Sequence, residues 1–426
     1  MKLSALTLTF AGLLLSSFAF SQAKIIYGEL PMDGDLIASE LVNDRFFIET
    51  DKGFAIYNTS GEKLADGIGS NILLRERYIS LKNPVFLNRD KEGNYTLMNI
   101  DGKTVGNSKY VSGLSFITNN TFVEFDNSTY GYINDKGEVI NKFDGIRLKQ
   151  VTNNTGKKGD FINTDWFIAK TVMLFQASFP PYSAEGLTRV VNFDTGLSGF
   201  MNKKLELVIP AKFSAVSRFS EGLAAVSDEN NMWGFIDVTG KQITDFTYSN
   251  RPRDFHSGLA LVVNREGMAG YINKTGQVII PAEFEMATDF YKGFALVKKD
   301  NETPALLIDS TGKKLVEFPK DAIFIDESVY DKYYSDDNVD ITYDGSETLR
   351  QLVDFGKGIF TYGRSYGLVD KEGNVVLDFK YSALKGYSNG KMLASLREFI
   401  DNNTKTTNGL IDEQGNWLVI VKAPEF

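Results

Sequence analysis

The stretch Trp233–Gly240, "WGFIDVTG", decides how this chain is read. It returns in altered form as "YGYINDKG" (130–137), "AGYINKTG" (269–276) and "YGLVDKEG" (366–373), each with a glycine near both ends. Aligning on the closing glycine gives Gly61, Gly102, Gly137, Gly240, Gly276, Gly312, Gly373 and Gly415, and one further copy has Leu205 there. Gly240, Gly276 and Gly312 fall 36 residues apart, so the sequence reads as about nine tandem copies of one short unit. Two long intervals interrupt them.

The clearest copies carry three short apolar runs, for example Leu223–Val226, Trp233–Ile236 and a third around Ile243, separated by polar residues. Runs of this length, rich in aromatic and β-branched residues, predict strands. The closing glycine supplies a positive φ in a tight connection, so Gly137, Gly240, Gly276, Gly312 and Gly373 are expected at hairpin turns. The other glycines, Gly131, Gly199, Gly234, Gly270 and Gly367, sit inside a strand pattern beside an aromatic residue. Glycine there marks a close approach. The expected neighbour is a ring from the adjacent repeat. Pro210 and Pro281 are expected to end the third strand, because proline cannot donate to a ladder. A single unit of this size buries too little to stand alone, so neighbours must share their apolar faces. The expected fold is all-β: antiparallel β-hairpin repeats in either a β-propeller-like ring or an open superhelical array.

These residues resemble the WG-repeat (KWG-repeat) family, named for a Trp-Gly pair that stands here as Trp233-Gly234. The resemblance is closest from Gly186 to Phe290, on "EGLA…WGFID…G", "SGLALV…GYIN…G" and "VIPA.F". It implies an exported or envelope-associated bacterial β-repeat protein. The motif is structural and carries no catalytic residue over.

The chain opens on "MKLSALTLTFAGLLLSSFAFSQAK", one lysine and then an apolar, small-residue run. That layout predicts a signal peptide over residues 1–23, with cleavage after Ser21 or Ala23 and no membrane span afterwards. The chain has no cysteine, which excludes disulfides, thiolate metal sites and cysteine nucleophiles. Its formal charge is −9. No basic cluster offsets this, so nucleic acid is not an expected partner. The remaining divisions are degenerate repeats over 24–148, an insertion over 149–185, well-matched repeats over 186–319, an acidic insertion over 320–353 and C-terminal repeats over 354–426.

Insertions in repeat proteins line functional faces, so both intervals are candidates. The first offers Trp166, Phe167 and Tyr182 as an aromatic binding surface for a sugar or peptide. In the second, Asp331, Asp336, Asp337, Asp340 and Asp344 lack the ligand spacing of a calcium loop and read as a solvated acidic loop. His256, the single histidine, falls at a variable position ahead of a repeat's "GL". No G-x-S-x-G elbow, phosphate loop or dinucleotide fingerprint is present. The expectation is a non-catalytic binding or scaffolding protein for a protein or glycan partner, with no cofactor and no metal. A glycosidase-like enzyme, resting on some pair of carboxylates, and a purely structural envelope component are the alternatives.

Overall fold

A computed structural model describes residues 23–27, 41, 43–50, 53–69, 84–90, 92–113, 120–126, 129–144, 147–152, 164–170, 173–177, 185–192, 195–202, 206–324, 346–400 and 403–422. Over these residues the chain forms a succession of small antiparallel sheets, nine among the described residues. In chain order, sheet one holds Arg45–Thr50, Gly53–Asn58 and Lys63–Ile68, and sheet two holds Val85–Arg89, Tyr95–Asn99 and Thr104–Tyr110. Sheet three runs from Ser112–Gly113 to Val139–Asp144, and sheet four, with six strands, from Arg147–Thr152 to Leu207–Phe213. Sheets five to seven begin at Ala215–Val216, Leu259–Val263 and Met286–Ala287. Sheet eight holds Lys357–Tyr362, Ser365–Asp370 and Val375–Tyr381. Sheet nine holds Ala383–Ser388, Lys391–Ile400, Asn403–Asp412 and Trp417–Lys422, and is joined by the N-terminal strand Lys24–Tyr27.

The Asp/Asn-x-x-Gly phrase makes the hairpin between the second and third strands of a repeat. Asp237 Oδ1 accepts from the Thr239 and Lys241 amides at 2.9 and 3.1 Å, and the Gly240 amide donates to the Asp237 carbonyl at 2.9 Å. The turn then needs a left-handed residue, and Gly240, Gly276 and Gly312 take φ of 82°, 83° and 84°. Asn273 and Asp309 repeat the same contacts, so either Asx residue serves.

The aspartates in these turns make them acid-sensitive. Hydrogen bonds from Thr239 and Thr311 hold the Asp237 and Asp309 carboxyls below their ordinary value of 3.8. A depressed folded value means the unfolded chain takes up protons first. The contribution is therefore present above the ordinary value and lost as pH falls through the depressed one. An Asp237→Asn/Asp309→Asn protein should lose less melting temperature than wild type between about pH 6 and about pH 3, as read by calorimetry. Equal losses would contradict this role.

The glycines inside the strands answer chiefly to backbone. The rings that approach, Phe125 at Gly131 and Phe379 at Gly367, each 2.9 Å from the β-carbon position, belong to the same sheet, so the expectation of a ring from the adjacent repeat is corrected. A β-carbon on Gly270 would lie 2.6 Å from the Ala282 nitrogen and 2.8 Å from the Ile280 carbonyl oxygen, both in the third strand of the same repeat. Gly199 meets the Ile209 oxygen at 2.5 Å, Gly131 the Asn141 oxygen at 2.1 Å, and Gly367 the Leu377 oxygen at 2.7 Å. Gly234 is looser, at 3.0 Å from the Asp245 oxygen.

The cause is a bulge. Ser198 pairs with Phe213 and Phe200 with Ile209, so the intervening residues of the third strand fold over Gly199. Pro210 and Pro281 sit within these irregular segments, inside the strands Leu207–Phe213 and Val278–Phe284, and do not end them. A bulge leaves a residue out of the ladder, which is where a proline costs nothing. Sheet five departs further: its third run forms only single bridges, Ile236 to Gln242 and Trp233 to Tyr248. After the bulge the chain crosses into the next sheet through a two-residue strand, Ala215–Val216 or Met286–Ala287.

Aromatic rings join one sheet to the next. Phe200 packs on Phe219 with centroids 4.6 Å apart, Phe235 on Phe255 at 4.9 Å and Tyr271 on Phe290 at 4.8 Å. The Tyr271 hydroxyl also donates to the Thr288 carbonyl at 2.7 Å. Burial pushes that phenol well above its ordinary value, with Asp289 adding to the rise. The helix Ser346–Phe355, which the sequence reading did not anticipate, inserts Leu349 and Leu352 into the cluster between sheets seven and eight.

The array returns on itself. Phe46, Ile48, Ala55 and Tyr57 of sheet one share a buried cluster with Leu393, Leu410 and Val419 of sheet nine. Asn389 and Lys391 donate across the same junction to Asp44 and Thr59, at 3.1 and 3.0 Å. The contact of first sheet with last selects radial, propeller-like closure over an open superhelix.

Candidate functional site

The "EGL" phrase that opens the clear repeats forms a two-residue hairpin turn. Ser220 and Leu223 exchange backbone hydrogen bonds of 2.9 and 3.1 Å, as do His256 with Leu259 and Tyr291 with Phe294. Both central residues take positive φ: 51° and 89° at Glu221-Gly222, 54° and 81° at Ser257-Gly258, 49° and 86° at Lys292-Gly293. That is the type I′ geometry, which suits a twisted hairpin but favours Asn or Gly at its first position. Glu, Ser and Lys stand there at a cost of about 1 kcal/mol each.

Their side chains do something a glycine could not. Glu221 Oε2 accepts from the Gly258 amide at 3.0 Å and Ser257 Oγ from the Gly293 amide at 3.0 Å, so each turn caps the turn of the next sheet. Glu185 begins the series, accepting from the Gly222 amide at 2.7 Å. Lys274 closes on Glu221 at 3.1 Å. Burial alone would raise the Glu221 carboxyl, but hydrogen bonds from Lys274 and from the Gly258 and Ser257 amides outweigh it and hold the group below its ordinary value. At the far end Lys292 pairs with Asp354 at 2.7 Å, and the Tyr291 hydroxyl donates to the same carboxylate at 3.0 Å.

A second row runs beside the first. Arg218 pairs with Asp254 at 2.6 Å and Arg253 with Asp289 at 3.5 Å, each pair reaching from one sheet to the next. The Asp254 side chain is only 7% exposed. In both aspartates one oxygen is engaged while Oδ1 is buried without a hydrogen-bond partner, and Glu185 Oε2 is in the same condition. Together these groups form a polar line across the junctions of sheets four to eight, carrying acceptors one repeat apart.

The residues singled out from sequence lie elsewhere. Trp166 and Phe167 fall in the strand Thr164–Lys170, paired with Arg147–Thr152 and Met173–Ala177 in sheet four. Their side chains, the whole of Tyr182 and the aspartates from Asp331 to Asp344 lie outside the described residues. His256 occupies the first corner of a type I′ turn. The polar line was missed, although a signal existed. Arg218, Asp254 and Asp289 each stand immediately before the repeat's buried phenylalanine, so they recur at nearly the repeat spacing.

The strand glycine and the two-residue turn with positive φ recur together in the segments that the model for the WG containing repeat matches, residues 199–231, 233–266, 270–302 and 366–396. These four segments are WG containing repeats. Each matched segment starts at, or one residue from, the strand glycine, so the repeat boundary falls inside a hairpin. No curated protein matches the chain in sequence. Among solved structures it is similar to BamB from Moraxella catarrhalis, at 11% identity and a TM-score of 0.28, over 67% of this chain and 88% of that one. It is also similar to virginiamycin B lyase from Staphylococcus aureus, at 10% identity and a TM-score of 0.25, over 63% and 97%.

Proposed function

We propose that this protein is an exported, non-catalytic binding or scaffolding module that holds a protein or glycan partner against the polar line of turns. One observation carries the reading: Glu185, Asp254 and Asp289 each keep a buried carboxylate oxygen with no donor among the described residues. Buried acceptors are almost always matched. A donor from outside, whether a peptide amide, a cationic side chain or a sugar hydroxyl, completes these. Their recurrence suits an extended ligand that presents donors at intervals. Export rests on the leader-like residues 1–23.

Peptide and glycan arrays probed with wild type and with Asp254→Asn/Asp289→Asn test this. The expected result is a set of hits that the double variant loses, at a temperature where circular dichroism shows both proteins folded. Hits that bind both proteins equally would remove the polar line from the account. Turnover of a glycan hit, abolished by one carboxylate change that spares binding, would replace it with the glycosidase-like reading.

A further inference from the structure

Several outer strands among the described residues are blunted. Leu207–Phe213 and Val278–Phe284 carry Pro210 and Pro281 and irregular registers, and Val375–Tyr381 is bulged and bears Asp378 and Lys380. Proline, bulges and charges are the usual guards of a sheet edge. The strand Trp417–Lys422 carries only one irregularity at its start and one charge at its end, Lys422: Val419, Ile420 and Val421 run in unbroken register, apolar and proline-free. Its guard is another strand. Lys24–Tyr27 lies along it in the sole parallel pairing among the described residues, with Ile25 opposite Ile420 and Ile26 opposite Val421.

That cover is short and separable. Four residue pairs hold it, and among its described side chains Ile26 alone belongs to the buried cluster that joins sheets one and nine. The rest of that cluster, including Phe46, Tyr57 and Leu410, comes from other strands. The chain is anchored again at Leu41, which packs beneath Gly386. In sequence 13 residues separate Tyr27 from Leu41, and a chain of that length spans at most roughly 45 Å.

We infer that the edge of Trp417–Lys422 that Lys24–Tyr27 covers is a strand-acceptor site, and that its second occupant is the Lys24–Tyr27 strand of another copy of this chain. Exchange of identical strands keeps every contact of the closed ring, so little stands against it but concentration. The edge already fits this segment, and a second copy brings the same one.

The absence of cysteine makes the test clean. Chains carrying Ile25→Cys alone and Ile420→Cys alone are mixed at high concentration, incubated, oxidised and mapped by peptide mass. Both substitutions on one chain serve as the reference. The expected result is a 25–420 disulfide of doubled mass in the mixture, exceeding the 25–25 and 420–420 products and growing with concentration, while the reference forms the same bond. A reference that cross-links only within its own chain at every concentration, with no 25–420 product in the mixture, would overturn the exchange. A reference that forms no 25–420 bond at all would overturn the acceptor site itself.

Discussion

Replacing Phe255 by alanine should destabilise the protein by about 3–5 kcal/mol, the range for deleting a buried aromatic side chain. Phe255 is completely buried and lies edge-on to Phe235, its ring centroid 4.9 Å away. Around it Leu223, Ala225, Ala260, Val262 and Ile272 come from two successive sheets. The ring is thus a joint between repeats, and no single repeat can refill the space. In a repeat protein a weakened junction also weakens the units on both sides. Chemical denaturation followed by tryptophan fluorescence, with Trp233 at the rim of this cluster, reads the loss directly. A cost below about 1 kcal/mol would mean the sheets do not depend on these rings, against the range for buried aromatics.

Gly270→Val is the second large effect, with an expected cost of about 3 kcal/mol, at the upper end of the overpacking range. Three backbone atoms of the bulged strand, from Ile280 and Ala282, lie within 2.8 Å of where its β-carbon would sit. Backbone in a ladder cannot step aside as the tip of a long side chain can. Gly258→Ala is the control. Its φ is +81° and nothing lies within 4 Å, so only the left-handed conformation is penalised, at about 1 kcal/mol. The two melting shifts should therefore differ clearly. Equal shifts would show that close approach is not why glycine stands in the strand.

Much of this was readable before any coordinates. The closing glycines were assigned to turns because a positive φ excludes other residues, and Gly61, Gly102, Gly137, Gly373 and Gly415 all take it, from 73° to 89°. The strand glycines were recognised as close approaches, but a missing side chain does not say what fills its place. Proline was read through its missing donor, and a bulge removes the need for one. The helix Ser346–Phe355 lay within a stretch read for its charge. Leu349, Leu352 and Val353, with Gly356 at φ 77° after the last turn, were its available signal. The polar line stayed hidden for another reason. Its partners are a repeat apart, and its residue type changes from Glu to Ser to Lys at one position. Closure was beyond reach, since it pairs Lys24–Tyr27 with residues at the opposite end of the chain.

The central claim is that the tandem sheets close, first against last. Spin labels on Thr59→Cys and Lys391→Cys, positions whose native side chains are 3.0 Å apart across that junction, test it most directly. A closed ring gives a single short distance that vanishes on unfolding. A long distance in the folded protein, approaching the length of the whole row of sheets, would contradict it.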